Sequence, residues 1–267
     1  MHISRLFIYP VKSCAGVEVD ALHFDSSGPV GDRRFVITTP AGDFLTQREL
    51  PEMARIQPKL ADTQLTLSHP DANDCVVRFD TDGPTHRVRV WRDEILGVDC
   101  GDEVAAWLTS RLGQEARLSV LPSDNPRLAD PAYADAGTQV GYADGFPLLV
   151  ITQESLDKLS EDAGLNVDVR RFRPNIVVSG ADGSFAEMEW RRLGVGEGSQ
   201  QQLPIKIVKP CERCVIPTRD PDTLERTGAL MTSLKNLCRI DGRIIFGQNA
   251  TYAGEYLAVG TPLFVSE

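Results

Sequence analysis

Apolar and polar positions alternate with a period of two along most of the first hundred residues. His2–Tyr9, Val17–Phe24, Arg34–Thr38, Gln64–Ser68, Cys75–Phe79 and His86–Trp91 are short runs of this kind, rich in Val, Ile and Phe. Turn chemistry separates them: Tyr9-Pro10, Ser27-Gly28-Pro29, Pro40-Ala41-Gly42 and Asp82-Gly83-Pro84. The spacing predicts a barrel or sandwich of strands. The period changes at Asp102–Leu112, where Val104, Trp107, Leu108 and Leu112 share one helical face and Gly113 supplies a stop.

Ser123–Ala143, with Pro126, Pro131, Gly137 and several Asp, reads as a long loop serving as linker or lid. A second body follows. Phe146–Thr152 predicts a strand, and Thr152 caps a helix running to Gly164. Asn175–Ser179 and Pro204–Val208 predict strands, the latter ending at Lys209-Pro210. Leu230–Ile240 predicts a helix, and Tyr256–Val265 closes the chain as strand. The fold class is mostly β with some α (α+β), in two parts that meet near residues 115–145.

Composition narrows the function. A length of 267 residues means one large domain or two modest ones. The net charge of -10 argues against a nucleic-acid or anionic-membrane binder, while leaving room for a local basic pocket. No apolar run reaches the roughly 18–20 residues that span a bilayer. Met1-His2-Ile3-Ser4-Arg5 opens into strand pattern without a charged and then apolar leader. The six cysteines are irregularly spaced, and a chain this long needs no staples, so a reduced, cytoplasmic setting is expected.

One Cys-x-x-Cys interrupts that irregularity. Cys211-Glu212-Arg213-Cys214 sits between Lys209-Pro210 and Ile216-Pro217, with Arg219 and Asp220-Pro221-Asp222-Thr223 beyond. Cationic neighbours favour the thiolate, the form that ligates metal. Four readings compete: structural zinc, which needs two more ligands, whereas His2, His23, His69 and His86 lie far upstream; a redox dithiol, which needs a following helix; two buried structural cysteines; or one thiolate holding a cofactor metal. Lys12-Ser13, after a proline turn, suits an oxyanion. Alternation sends Arg33 and Arg34 to opposite faces, so one enters a pocket and the other meets solvent. Arg170, Arg171 and Arg173 precede a strand; taken singly, such groups are usually solvated ion pairs. Gly194-Val195-Gly196-Glu197-Gly198 lacks dinucleotide spacing and reads as a turn.

Together, Tyr9-Pro-Val-Lys-Ser-Cys14, Gly31-Asp-Arg-Arg-Phe35, Phe172-Arg-Pro-Asn-Ile176 and Cys211-Glu-Arg-Cys214 with Asp220-Pro-Asp-Thr223 resemble the MOSC superfamily of molybdenum-cofactor proteins. The similarity is to its YcbX-type and amidoxime-reducing branches. It covers nearly the whole chain and implies a MOSC N-terminal β-barrel over 1–115 and a β-barrel-like MOSC domain over 116–267. It implies molybdenum ligation by Cys214. It also implies cofactor contacts from Lys12, Ser13, Arg34, Asp144, Gly145, Phe146, Arg173, Asn175, Glu212 and Arg213, with Asp222 near the metal for proton handling or substrate positioning. One departure stands out: Leu224-Glu225 follows Thr223 where the family pattern has Gly.

The activity implied is reduction of N-hydroxylated bases, amidoximes or hydroxylamines by the molybdenum cofactor (Mo-molybdopterin). The metal would carry the two-electron chemistry. With no dinucleotide fingerprint and no iron–sulfur cysteine set, electrons are expected from a separate ferredoxin-like, flavin or cytochrome protein docking near Ser123–Ala143. The alternative is a non-catalytic cofactor or sulfur carrier. MOSC domains also carry a broad association with pyridoxal phosphate binding, although no lysine here sits in a Schiff-base motif.

Overall fold

The computed structural model describes residues 1–124, 126–196 and 202–266. Its largest sheet belongs to the second half of the chain yet recruits the first strand. In spatial order it runs Val17–Val19, His2–Ile8, Ile176–Ser179, Leu148–Thr152, Arg243–Tyr252, Gln202–Glu212, Arg192–Val195 and Leu263–Ser266. Neighbours are antiparallel except Leu148–Thr152 and Ile176–Ser179, which are parallel. A helix, α2 (Gln153–Ala163), bridges that pair, as a parallel connection requires.

Alternation explains why this sheet is buried on both faces. Ile3, Leu6, Val150, Ile176 and Val178 pack into one core with Trp190 and Ile205. Phe7, Ile151 and Val177 point the other way, toward Leu156 and Leu159 of α2 and Leu230 and Leu234 of α3 (Gly228–Leu237).

A second body comes from the N-terminal half. Phe35–Thr38, Arg117–Val120, Asp93–Asp99 and Thr85–Val90 form one sheet; Gln57–Ala61, Gln64–His69 and Ala72–Arg78 form another. The helix α1 (Asp102–Leu112) closes their shared core through Val104, Leu108 and Leu112. Among the described residues strand outweighs helix, with three α-helices, the predicted class. Strand pairing crosses the expected division at residues 115/116. Arg117–Val120 hydrogen-bonds to Phe35–Thr38 in the first, and His2–Ile8 lies inside the second.

Four local expectations are revised. Val17–Phe24 breaks at Asp20 into two strands in different sheets. Of the expected Ser123–Ala143 loop, residues 126–143 are packed rather than free: Arg127–Leu128 pairs with Gln139–Val140, and Ala129, Ala134 and Val140 form a small core with Phe146. The strand expected to stop at Lys209-Pro210 continues to Glu212, with register shifts on both sides of that dipeptide. Proline donates no ladder bond, and a bulge accommodates it. Of the glycine-rich turn, Gly194-Val195 instead ends a strand, Gly196 is a bend, and Glu197-Gly198 lies outside the described residues.

Candidate functional site

A cavity of about 160 Å³ is walled by residues of both bodies. Its floor starts where His2–Ile8 runs out at Tyr9-Pro10. Val11 bridges to Phe35, the Lys12 amide donates to the Phe35 carbonyl, and Ser13 adopts left-handed backbone (φ 67). This tight turn presents Lys12, whose Nζ donates to the Tyr142 carbonyl (2.8 Å) and to Asp144 Oδ1 (2.6 Å). Trp91 Nε1 donates to the same carboxylate oxygen at 3.0 Å.

Arg33 is fixed from several sides. Asp32 accepts the Tyr9 amide through Oδ1 and Arg33 Nη1 through Oδ2. Arg33 Nη1 also reaches Asn175 Oδ1 at 3.0 Å, and Nη2 reaches the Arg173 carbonyl at 3.1 Å. The guanidiniums of Arg33 and Arg173 both lie against the Tyr9 ring, 4.4 and 4.3 Å from its centroid. Arg173 donates to the Cys14 carbonyl. Buried Asn175 ties the strands together, donating to the Phe7 carbonyl and accepting the Leu149 amide.

The opposite wall is Cys211–Cys214. The Arg213 amide joins the Ile244 carbonyl, its Nε donates to the Phe246 carbonyl and its Nη1 to the Phe172 carbonyl. Arg213 Nη2 is buried without a partner among the described residues, as are Arg171 Nε and Arg48 Nε. Lys12, Arg33, Arg48, Arg171, Arg173 and Arg213 line the cavity against only Asp144 and Glu212, a cationic excess in an acidic protein.

Burial and the neighbouring Arg33 push the Arg173 guanidinium down to about 10. Burial lowers the Lys12 ammonium, while Asp144 opposes that shift. At Asp144 burial acts upward, but Lys12 and the Trp91 indole outweigh it and hold the carboxyl below its usual range. The Asp144 side chain is 74% exposed, so the pair is only partly shielded from solvent. Burial also raises the Cys211 thiol, with Arg213 opposing. The arrangement suits an anionic ligand with a thiol, Cys214, on the same wall.

Comparison with known proteins agrees with this reading of the fold. The MOSC N-terminal beta barrel domain matches residues 1–115 and the MOSC domain residues 137–265. Mitochondrial amidoxime-reducing component 1 of Homo sapiens is 32% identical over 97% of this chain and 79% of that protein. The chain belongs to the MOSC family. Mitochondrial amidoxime reducing component 2 of Bos taurus is also 32% identical, over 98% of this chain and 82% of its own length. Molybdenum cofactor sulfurase 3 of Aedes aegypti is 30% identical over 85% of this chain, which corresponds to 31% of the sulfurase.

In this MOSC protein Lys12, Ser13, Asp144, Gly145, Phe146, Arg173, Asn175, Glu212, Arg213 and Cys214 all line the cavity. Two expected residues do not. Arg34 turns away and pairs with Asp25 at 2.6 Å; Arg33 takes the inward place, held in left-handed backbone (φ 48) just before the strand begins. Asp222 lies in a neighbouring small recess and is bound by Arg170 at 2.6 Å. Tyr9 stood inside a quoted motif without a role assigned to it; Arg48 and Trp91 escaped because nothing local distinguishes them from ordinary surface residues. Gly141 escaped too: a Cβ there would meet the Arg33 carbonyl at 2.6 Å, so only glycine allows the chain to pack on this turn.

Proposed function

We propose that this chain reduces N-hydroxylated compounds, amidoximes among them, with a molybdenum cofactor held in the cavity and electrons from a separate protein. The observation that carries the reading is the cluster of partnerless guanidinium nitrogens on Arg213 and Arg171 sharing one cavity with the Cys214 thiol. Buried donors without partners are costly unless a ligand satisfies them, and a phosphate-bearing pterin does so. The donor set therefore fits the group. Supporting it are the amidoxime-reducing names of the relatives.

When bound, the cofactor would supply two-electron oxygen-atom-transfer chemistry. The residues of this chain do the rest. Cys214 is the ligand we assign to the metal. Lys12, Ser13, Arg33, Arg173 and Arg213 bind and orient the anion. Asn175 and Tyr9 hold Arg33 and Arg173 in place. Asp144 keeps the Lys12 ammonium charged and turned toward the cavity. Asp222, in the adjoining recess, is too committed to Arg170 for the proton role its sequence position suggested.

A second reading, a cofactor or sulfur carrier without turnover, draws on the likeness to the sulfurase. Pyridoxal phosphate fits less well, because Lys12, the one lysine lining the cavity among the described residues, is bound to Asp144 and Tyr142. A cytoplasmic setting goes with six cysteines that are all free, and no described helix is long and apolar enough to cross a membrane. The test is protein purified from a host that makes the cofactor, assayed for molybdenum and pterin content. Turnover of an aromatic amidoxime is then compared with reduced viologen and with NADPH alone. Loading near one metal per chain and turnover only with viologen are expected. Turnover with NADPH alone overturns the separate donor, and loaded protein inert with both donors favours the carrier.

A further inference from the structure

Arg48 differs from the other cationic groups of the cavity. Lys12, Arg33, Arg171, Arg173 and Arg213 each donate to a carboxylate or a carbonyl. The Arg48 side chain makes no hydrogen bond and no ion pair among the described residues, and its Nε is buried without a partner. Its guanidinium lies instead over the Trp91 ring, 4.7 Å from guanidinium carbon to centroid.

Trp91 is itself unusual. Its indole is held by the hydrogen bond from Nε1 to Asp144 and by the edge of Phe44, 4.9 Å away. Its backbone is left-handed (φ 57), a conformation that L side chains rarely adopt and that persists where the surroundings impose it. Even so, 42% of the residue stays exposed. A guanidinium stacked on a fixed indole has its plane set in advance, and its edge N–H groups remain available to a planar oxyanion. Both residues come from the N-terminal body, across the cavity from Cys211–Cys214.

We infer that Arg48 and Trp91 form a substrate subsite at the cavity wall, selecting N-hydroxylated compounds that carry a planar ring and an anionic group, such as a carboxylate, away from the N-hydroxyl. This rests on the proposed reaction for its substrate, and on Arg48 alone for its charge preference. Glu212, the exposed carboxylate on the opposite wall, has no ion-pair partner among the described residues and would repel such an anion. It therefore favours an orientation with the anion at Arg48 and the neutral N-hydroxyl end toward Cys214.

The experiment uses cofactor-loaded protein and two matched pairs: 4-carboxybenzamidoxime against benzamidoxime as substrates, and 4-carboxybenzamide against benzamide as unreactive binding probes. Binding is followed by tryptophan fluorescence and saturation-transfer NMR. The native protein should bind the carboxylate probe more tightly. Arg48→Ala should reduce that preference about tenfold, equivalent to about 1.4 kcal/mol. The same change should appear in KM rather than kcat, and Arg48→Lys should restore part of it. Equal affinity of the native protein for both probes overturns the subsite. So does loss of molybdenum from Arg48→Ala, which would assign Arg48 to the cofactor. A charge preference that persists in protein without turnover supports the subsite while refuting the proposed reaction.

Discussion

Lys12 and Asp144, 132 positions apart, meet at 2.6 Å, and their contact joins the turn after the first strand to the segment that precedes the central strand of the large sheet. The ammonium is buried and the carboxylate is open to the cavity.

That asymmetry sets the size of its effect. Asp144→Asn leaves Lys12 with the Tyr142 carbonyl and a neutral amide. Breaking a fully buried pair costs about 3–5 kcal/mol, and the exposure of Asp144 reduces this to about 1–2 kcal/mol. The sign with pH follows from the lowered Asp144 carboxyl. Its contribution is complete above the unfolded-state value, about 3.9, and disappears as pH falls below it. Melting curves should show a constant deficit for Asp144→Asn from pH 8 to 5 that shrinks below pH 4. A deficit that grows on acidification contradicts the assignment.

Glu187 behaves in the opposite sense. It is fully buried; Oε2 accepts from Thr152 and Ser155, and Oε1 has no partner among the described residues. Burial raises its carboxyl, against the opposing hydroxyl bonds. The fold therefore prefers the protonated acid, and stability is lost as pH rises from the unfolded value of about 4.3 through the higher folded one. Glu187→Gln removes this titration. Its melting temperature relative to the native protein should improve between pH 5 and pH 8, and a flat difference would refute the burial argument.

Arg33 and Arg34 separate cavity from surface. Arg33→Ala removes a side chain held by Asp32, Asn175 and the Arg173 carbonyl, and should lower cofactor content on purification severalfold. Arg34→Ala removes a largely buried guanidinium from its pair with the half-exposed Asp25 carboxylate, a loss of about 1–2 kcal/mol in stability, with cofactor content preserved. Metal analysis of the two variants side by side decides the assignment.

Cys211 and Cys214 line the same cavity, and the reading assigns the metal to Cys214. Cys214→Ser should abolish N-reduction with the circular dichroism spectrum unchanged. Cys211→Ser should keep substantial activity. Equal loss at both positions would point instead to a dithiol or to shared ligation.

What the sequence determined by itself was whatever depends on neighbours a few residues away. The helix Asp102–Leu112 was legible because its apolar face and the left-handed Gly113 cap are local, and α2 was legible through the Thr152 cap and Gly164. Lys12, Arg173, Asn175 and Cys214 stood out because each sits in a short motif. The strand Arg243–Tyr252 was not among the elements the pattern predicted, and Gly247 interrupts its apolar run. It is strand because Leu148–Thr152 and Gln202–Glu212 flank it, and Gly247 lets the Val150 carbonyl approach to 2.9 Å of where a Cβ would stand. Alternation placed Arg33 and Arg34 on opposite faces, but only the packing of Gly141 and Tyr9 decided which one faces the cavity. Arg170, 52 positions away, drew Asp222 aside, and Arg48 met Trp91, 43 positions further along the chain. Propensities, caps and turns act over one or two turns of chain. Ion pairing and stacking act through space, so they belong to the tertiary structure alone.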